Sequence, residues 1–230
     1  MKKDRFVLAY CHPGMVHTDF MTSVLDMLRI DGSTGRHLFT GQIGIRGLYV
    51  AQSRNEAVVL FRKQEHADWM LFVDTDIIFT TEQVYALIDA ANEADAPIMA
   101  GTYFGYLSGK LWPVLFSKNA DGMYYPIQEF ADDRVQPIAA CGMGFTLIHR
   151  RVFDALYNEA DPWCWFGHDL YMGKRMGEDI CFCERASKAG FSMFADGRVT
   201  VSHIKSRAES LGTWLESIGP EVVVRQEKAA

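Results

Sequence analysis

Five apolar residues in a row, Trp69-Met70-Leu71-Phe72-Val73, run directly into Asp74-Thr75-Asp76, and this constrains the chain more than any other feature. So short a run without a polar break reads as a strand covered on both faces, since a strand with one wet face alternates. Helices must cover it, and the neighbouring segments supply them. Phe6–Tyr10 is a short apolar strand stopped by Pro13-Gly14. Thr18–Arg29 repeats Phe20, Val24, Met27 and Leu28 at helical spacing, and Val50–Glu65 is a second helix. Thr81–Asn92 is a third, with Thr80 or Thr81 as N-cap, and Pro97–Thr102 is another strand. Strands alternating with helices predict an α/β domain with a central, mainly parallel sheet. From Tyr103 to Ala140 the pattern changes to scattered aromatics with Pro113, Pro126 and Pro137, which predicts a smaller antiparallel portion. Helices at Arg151–Tyr157 and Asp179–Ala189 and strands at Phe191–Phe194 and Val199–His203 follow. The domain so predicted spans residues 1–205. Residues 206–230 are a more polar tail, expected as a docked helix with a frayed end.

Charge and cysteine usage narrow the function classes. A formal net charge of −6 disfavours non-specific adhesion to nucleic acid or anionic lipid. No apolar stretch is long enough for a membrane span, and the run Phe6–Cys11 is too short for a secretory signal. The five cysteines, Cys11, Cys141, Cys164, Cys181 and Cys183, are odd in number and irregularly spaced, which points to a reduced, cytoplasmic chain. Cys181-x-Cys183 is a poor metal motif on a helix, where residues two apart face different ways.

The chemistry-bearing residues cluster around strand ends and helix starts. Ligands of α/β sheets bind at the carboxyl ends of strands. Asp74 and Asp76 follow such an end and can hold a hard cation, which takes one or two protein carboxylates and fills its other positions with phosphate oxygens and water. A solvated turn is the bland alternative. Arg54 in Ser53-Arg54-Asn55 falls on the apolar face with Val50, Ala57, Val58 and Phe61. It either pairs with Asp74 or a phosphate, or snorkels to solvent along its stem. Gly177-Glu178-Asp179 opens a helix, where acids are favoured by the dipole; a general base is the functional alternative. His203 could complete a metal site, its imidazole shifting preference from Mg2+ to Mn2+. Lys205 points the same way as His203 on an extended chain and could meet a phosphate. Gly142 and Gly144, around Met143, allow close backbone approach but do not make a dinucleotide fingerprint.

In order, the chain gives Ser-Arg-Asn, Phe72-Val73-Asp74-Thr75-Asp76, Ala100-Gly101-Thr102-Tyr103, Gly142-Met143-Gly144, Gly177-Glu178-Asp179 and Val201-Ser202-His203. This order resembles the GT-A fold nucleotide-sugar glycosyltransferases, above all the compact family-two kind and their phage relatives. The resemblance implies a GT-A, Rossmann-like fold and transfer of a sugar from a nucleotide-diphosphate donor, with UDP-sugars favoured. It implies Mn2+ or Mg2+ held by Asp74, Asp76 and His203. It implies Asp179, or else Glu178, as catalytic base of an inverting reaction. The donor would contact Tyr10, His12, Arg54, Asp74, Thr75, Asp76 and Lys205. Asp19 and Asp26 are the candidates for an early acid reading the base. Trp163, Trp165, Gly142 and Met143 would face the acceptor, with Trp163–Lys174 as a lid or as packed surface loop. The acceptor stays open among protein, glycan, metabolite and modified DNA base. The rivals are a nucleotidyltransferase, though Cys11-His12-Pro13-Gly14 lacks a basic Gly-rich phosphate loop, and a non-catalytic sugar-nucleotide or carbohydrate-binding module.

Overall fold

The computed structural model describes residues 4–205 apart from 35, 48, 108, 172 and 173. The expected tail, 206–230, and residues 172 and 173 near the end of the expected lid lie outside the described residues. In chain order come β1 (Phe6–His12), α1 (Thr18–Thr34), β2 (Phe39–Arg46), α2 (Val50–Arg62), β3 (Trp69–Val73) and β4 (Ile77–Ile78). Then follow α3 (Thr81–Ala90), β5 (Ile98–Thr102), β6 (Phe104–Leu107), β7 (Lys110–Pro113), β8 (Leu115–Lys118) and β9 (Tyr124–Pro126). Next are β10 (Val135–Ile138), β11 (Ala140–Cys141), β12 (Phe145–His149) and α4 (Arg150–Leu156). The chain goes on through β13 (Leu170–Tyr171), β14 (Lys174–Arg175), α5 (Glu178–Lys188), β15 (Met193–Thr200) and β16 (Ser202–His203).

Seven strands form the central sheet in the order β10, β15, β5, β12, β3, β1, β2. β1 pairs parallel with β2 and β3, and β5 parallel with β15; β12 is antiparallel to both β3 and β5, and β10 to β15. Five strands therefore run one way and two, β10 and β12, the other, which is the mainly parallel sheet expected.

Alternation along the strands feeds two dry faces. In β3, Met70 and Phe72 enter one core and Trp69, Leu71 and Val73 the other; in β1, Val7 and Ala9 oppose Phe6 and Leu8. The first core is closed by α2 (Ala57, Val58, Phe61), α4 (Val152, Phe153) and α5 (Phe182, Ala186). The second is closed by α1 (Phe20, Val24, Met27) and α3 (Val84, Leu87). A Leu or Phe buried this way contributes about 1.5–3 kcal/mol each by removal from water.

Local chemistry sets the helix ends. Thr80 caps α3 in a capping box: its hydroxyl accepts from Gln83 N–H at 3.4 Å, and Gln83 Oε1 accepts from Thr80 N–H at 2.8 Å. The C-terminal carbonyls of α2 are collected by Arg150, whose guanidinium donates to Phe61 O at 3.2 Å and Arg62 O at 3.2 Å.

Three elements differ from expectation. β2 was not anticipated, because Gly41 and Gly44 break its pattern and it lies at the sheet edge with only alternate residues buried. β12 follows directly on the Gly142-Met143-Gly144 turn and is fully buried. The two late strands expected at Phe191–Phe194 and Val199–His203 are instead one long strand, β15, and the short β16.

Candidate active site

The carboxyl ends of β1 and β3 open into a cleft of about 680 Å³, lined by Cys11, His12, Pro13, Met15, His17, Arg54, Asp74, Thr75 and Asp76 among others. The sequence had placed Arg54, Asp74, Thr75, Asp76 and His12 together, and the fold does so.

Arg54 is the centre of one half. It projects from the second turn of α2 into the protein, with its side chain 5% exposed. One end of the guanidinium donates to Glu178 and the other to Asp74 Oδ1 at 3.0 Å. Burial opposes its charge, but Asp74, Glu178 and Asp179 outweigh that and hold it protonated. It is a bridged buried cation, not a snorkelling one. Glu178 and Asp179 come from the first turn of α5, where free backbone N–H groups face acids; Ile180 N–H donates to Asp179 Oδ1 at 2.8 Å. The described residues give Asp179 no ion pair. Burial, then the Glu178 charge, push its carboxyl above the usual range, against a smaller opposite pull from Arg54.

Asp76 is the centre of the other half. β16 pairs with β4, setting His203 opposite Ile77, and Ile204 N–H donates to Asp76 O at 2.8 Å. His203 Nε2 then lies 3.1 Å from Asp76 Oδ2, and Lys205 Nζ lies 3.2 Å from the same oxygen. Burial works against ionising Asp76, yet the hydrogen bond and charge of His203, with Lys205, hold its carboxyl down at about 2.

Among the described residues, no group of three or more His, Cys, Asp or Glu side chains converges as a metal site. The donor set nonetheless suits a cation that brings its own phosphate ligands. His203 Nδ1 is 2.8 Å from Phe104 O, an acceptor only, so Nδ1 carries a proton, and Nε2, now against Asp76 Oδ2, is the nitrogen that would turn to a cation. Lys205 holds the same Asp76 oxygen, so a cation there would displace it. Asp76 and His203 fit as the protein ligands; Asp74 faces Arg54 instead.

Other sequence expectations require correction. Trp165 is fully buried, its indole N–H donates to Phe153 O at 2.8 Å, and its ring stacks on Tyr157, so it cannot present a face to an acceptor. Met143 is 1% exposed and also belongs to the core. Gly142 is filled by Tyr103 rather than open to a ligand, since an added Cβ would lie 2.1 Å from the Tyr103 hydroxyl. The expected lid is pinned at its start: Phe166 stacks on Phe182 at 4.8 Å, and Asn55 holds the Phe166 backbone by bonds of 2.7 and 2.9 Å. Trp163 alone of the expected acceptor-side residues is exposed, at 37%. Tyr10 packs over Gly44 and against Phe20, behind the cleft wall. Asp19 and Asp26 line a separate hollow with Ser23 and Glu82.

Sequence reasoning quoted Tyr103 in the Ala100-Gly101-Thr102-Tyr103 motif but gave it no role. It directly follows β5, at the same sheet edge as Asp74, and is 7% exposed. Its position at a strand's carboxyl end was the available signal.

No protein-family model and no curated protein matches the sequence. Solved structures do match. A197 from STIV superposes with a TM-score of 0.52 at 16% identity, over 88% of this chain and 86% of that one. GalNAc-T7, solved with UDP, GalNAc and Mn2+, gives a TM-score of 0.57 at 11% identity over 87% of this chain. This chain has the GT-A fold. It spans 44% of the GalNAc-T7 chain, so the likeness covers less than half of that protein. The GT-A architecture puts the cleft at the strand ends where Asp74 and Asp76 emerge. No helix among the described residues of this GT-A chain is long and apolar enough to cross a membrane.

Proposed function

We propose that this GT-A protein is a metal-dependent glycosyltransferase that moves a sugar from a nucleotide-diphosphate donor to an acceptor hydroxyl, with inversion. The observation that carries this reading is the different partner of each acid. Asp74 and Glu178 share the buried Arg54, Asp76 meets His203 and Lys205, and Asp179 has no cation of its own among the described residues.

Each state suits one task. Asp76 and His203 would hold Mn2+ or Mg2+, and the bound cation supplies charge neutralisation for the departing diphosphate. Lys205 adds a point charge for a phosphate. Asp74, oriented by Arg54, would accept hydrogen bonds from a ribose. Glu178 is committed to Arg54, which leaves Asp179 as the carboxylate free to take the acceptor proton. Its raised pKa makes it a better base than a solvated Asp. His12 and Thr75 complete the donor wall. A UDP-sugar is the first donor to test, because the GT-A neighbour GalNAc-T7 is held with UDP. All five cysteines are free thiols, which suits the reducing cytoplasm.

The test is a melting curve with UDP and Mn2+, together and singly, followed by donor hydrolysis without acceptor. A ligand at about 100 times its Kd stabilises by about 2.7 kcal/mol, so a shift of several degrees that needs both components is expected. A nucleotidyltransferase would instead consume a nucleoside triphosphate and a sugar phosphate. Full donor turnover in excess EDTA would remove the metal from the reading.

A further inference from the structure

We propose that Tyr103 is a two-armed positioning residue of the donor site, its ring setting His203 and its hydroxyl setting Asp74 through Gly144. The inference rests on the reading of Asp74, Asp76 and His203 as the donor and metal site.

The ring arm comes first. The Tyr103 and His203 rings meet edge to face, 5.1 Å apart at 90°. The peptide carbonyl that fixes His203 Nδ1 belongs to Phe104, the next residue. Two of the three restraints on the imidazole therefore come from one dipeptide, the third being the Asp76 contact at Nε2. A cation that took up Asp76 would leave the Phe104 hydrogen bond and the packed Tyr103 ring to hold the imidazole plane. Outer contacts of this sort fix the orientation of a ligating His and with it the affinity of the site.

The hydroxyl arm runs the other way. Gly144 N–H donates to the Tyr103 hydroxyl at 3.2 Å, and Gly144 O accepts from Asp74 N–H at 2.9 Å. One residue thus joins the phenol to the backbone of Asp74. The turn is cut to admit the phenol: a Cβ at Gly144 would lie 2.8 Å from Tyr103 Cζ, and one at Gly142 2.1 Å from its hydroxyl oxygen. A ring that only filled core volume would need neither the hydroxyl on a backbone N–H nor two glycines around it.

Two variants separate the arms. Tyr103→Phe keeps the ring on His203 and loses the Gly144 contact. Tyr103→Leu loses both. We measure Mn2+ binding by calorimetry, donor KM by turnover, and the imidazole proton signals of His203 by NMR, assigned with His203→Ala. Tyr103→Phe should leave the Mn2+ affinity unchanged and raise donor KM about five-fold, the worth of one hydrogen bond. Tyr103→Leu should weaken Mn2+ about 10- to 100-fold, as loss of an outer-shell partner does. Phe at 103 thereby rescues the metal site of the Leu variant. In the metal-free protein, Tyr103→Leu should move the His203 signals and Tyr103→Phe should leave them in place.

Variants that lower the melting temperature while leaving Mn2+ affinity, donor KM and the His203 signals unchanged would make Tyr103 a core filler and overturn the inference. Equal Mn2+ losses in both variants would overturn the division between ring and hydroxyl. If the wild-type protein bound neither Mn2+ nor donor, the glycosyltransferase reading would fall. The NMR comparison needs no ligand and would still report whether the ring sets His203.

Discussion

Arg54→Met should be among the most damaging substitutions this chain can carry. The side chain keeps its stem and loses the charge between Glu178 and Asp74. Arg54 is 5% exposed and Glu178 14%, so that pair is a buried one, whereas Asp74 is 38% exposed and its share must be discounted for solvent screening. Breaking a buried pair by removing one partner costs about 3–5 kcal/mol, because the other charge stays buried without compensation. The exposed Asp74 arm adds about 0–1 kcal/mol. For a protein of this size each kcal/mol lowers Tm by about 2–4 °C, so the main term predicts a drop of about 6–20 °C. The assay is a set of melting curves on Arg54→Met, Glu178→Gln and the double variant. Glu178→Gln should restore much of the loss, because it neutralises the stranded carboxylate, giving a coupling of at least about 1 kcal/mol. A single-variant drop below about 2 °C, or strictly additive losses, would refute the account of Arg54 as a buried bridge.

Asp179→Asn should retain donor and metal affinity while turnover falls about 100-fold or more, measured by paired titration and steady-state rates. Because burial and Glu178 raise the Asp179 pKa, its carboxylate form gains population only at higher pH than that of an ordinary aspartate, so the acid limb of the rate profile should be displaced upward and vanish in Asp179→Asn. Asp76 has the opposite sign: its folded pKa is depressed from 3.8 to about 2, so in the metal-free protein it stabilises above the unfolded value and that contribution is lost as pH falls through this window. Melting curves of Asp76→Asn should therefore lack that part of the acid loss; an unchanged curve would count against it. His203→Ala should raise the Mn2+ needed for half-maximal rate, read from metal titrations on the folded fraction.

The fold was legible where periodicity was strong. Trp69–Val73 could only be a strand with two dry faces, and Thr80 or Thr81 marked the start of α3. Arg54 was legible as a charge on an apolar face with Asp74 as a partner, but its second partner was not: Glu178 lies 124 residues away, and only tertiary packing brings it there. Asp76 and His203, 127 apart, were joined by the family resemblance and not by any local pattern. Sequence separation hides such pairs because no local period relates them. Trp165 misled because an aromatic beside glycines reads as a surface loop, while its indole N–H found a buried carbonyl. Tyr103 stood in a quoted motif without a role because an aromatic after a strand looks like core, and its contacts with Gly142, Gly144 and His203 are all long-range.

The shared guanidinium also has a consequence for how this chain can vary over time. Positions 54, 74 and 178 do not form three independent choices. A lineage that lost the carboxylate at 178 would inherit an under-neutralised buried cation, and one that lost the arginine would inherit stranded acids; each single step is a valley of several kcal/mol. Among descendants the three should be kept together or exchanged together, for instance for an apolar residue facing a neutral amide. Asp179 makes no ion pair among the described residues, so on the proposed reading a descendant could lose its chemistry by changing this one residue and keep its architecture intact.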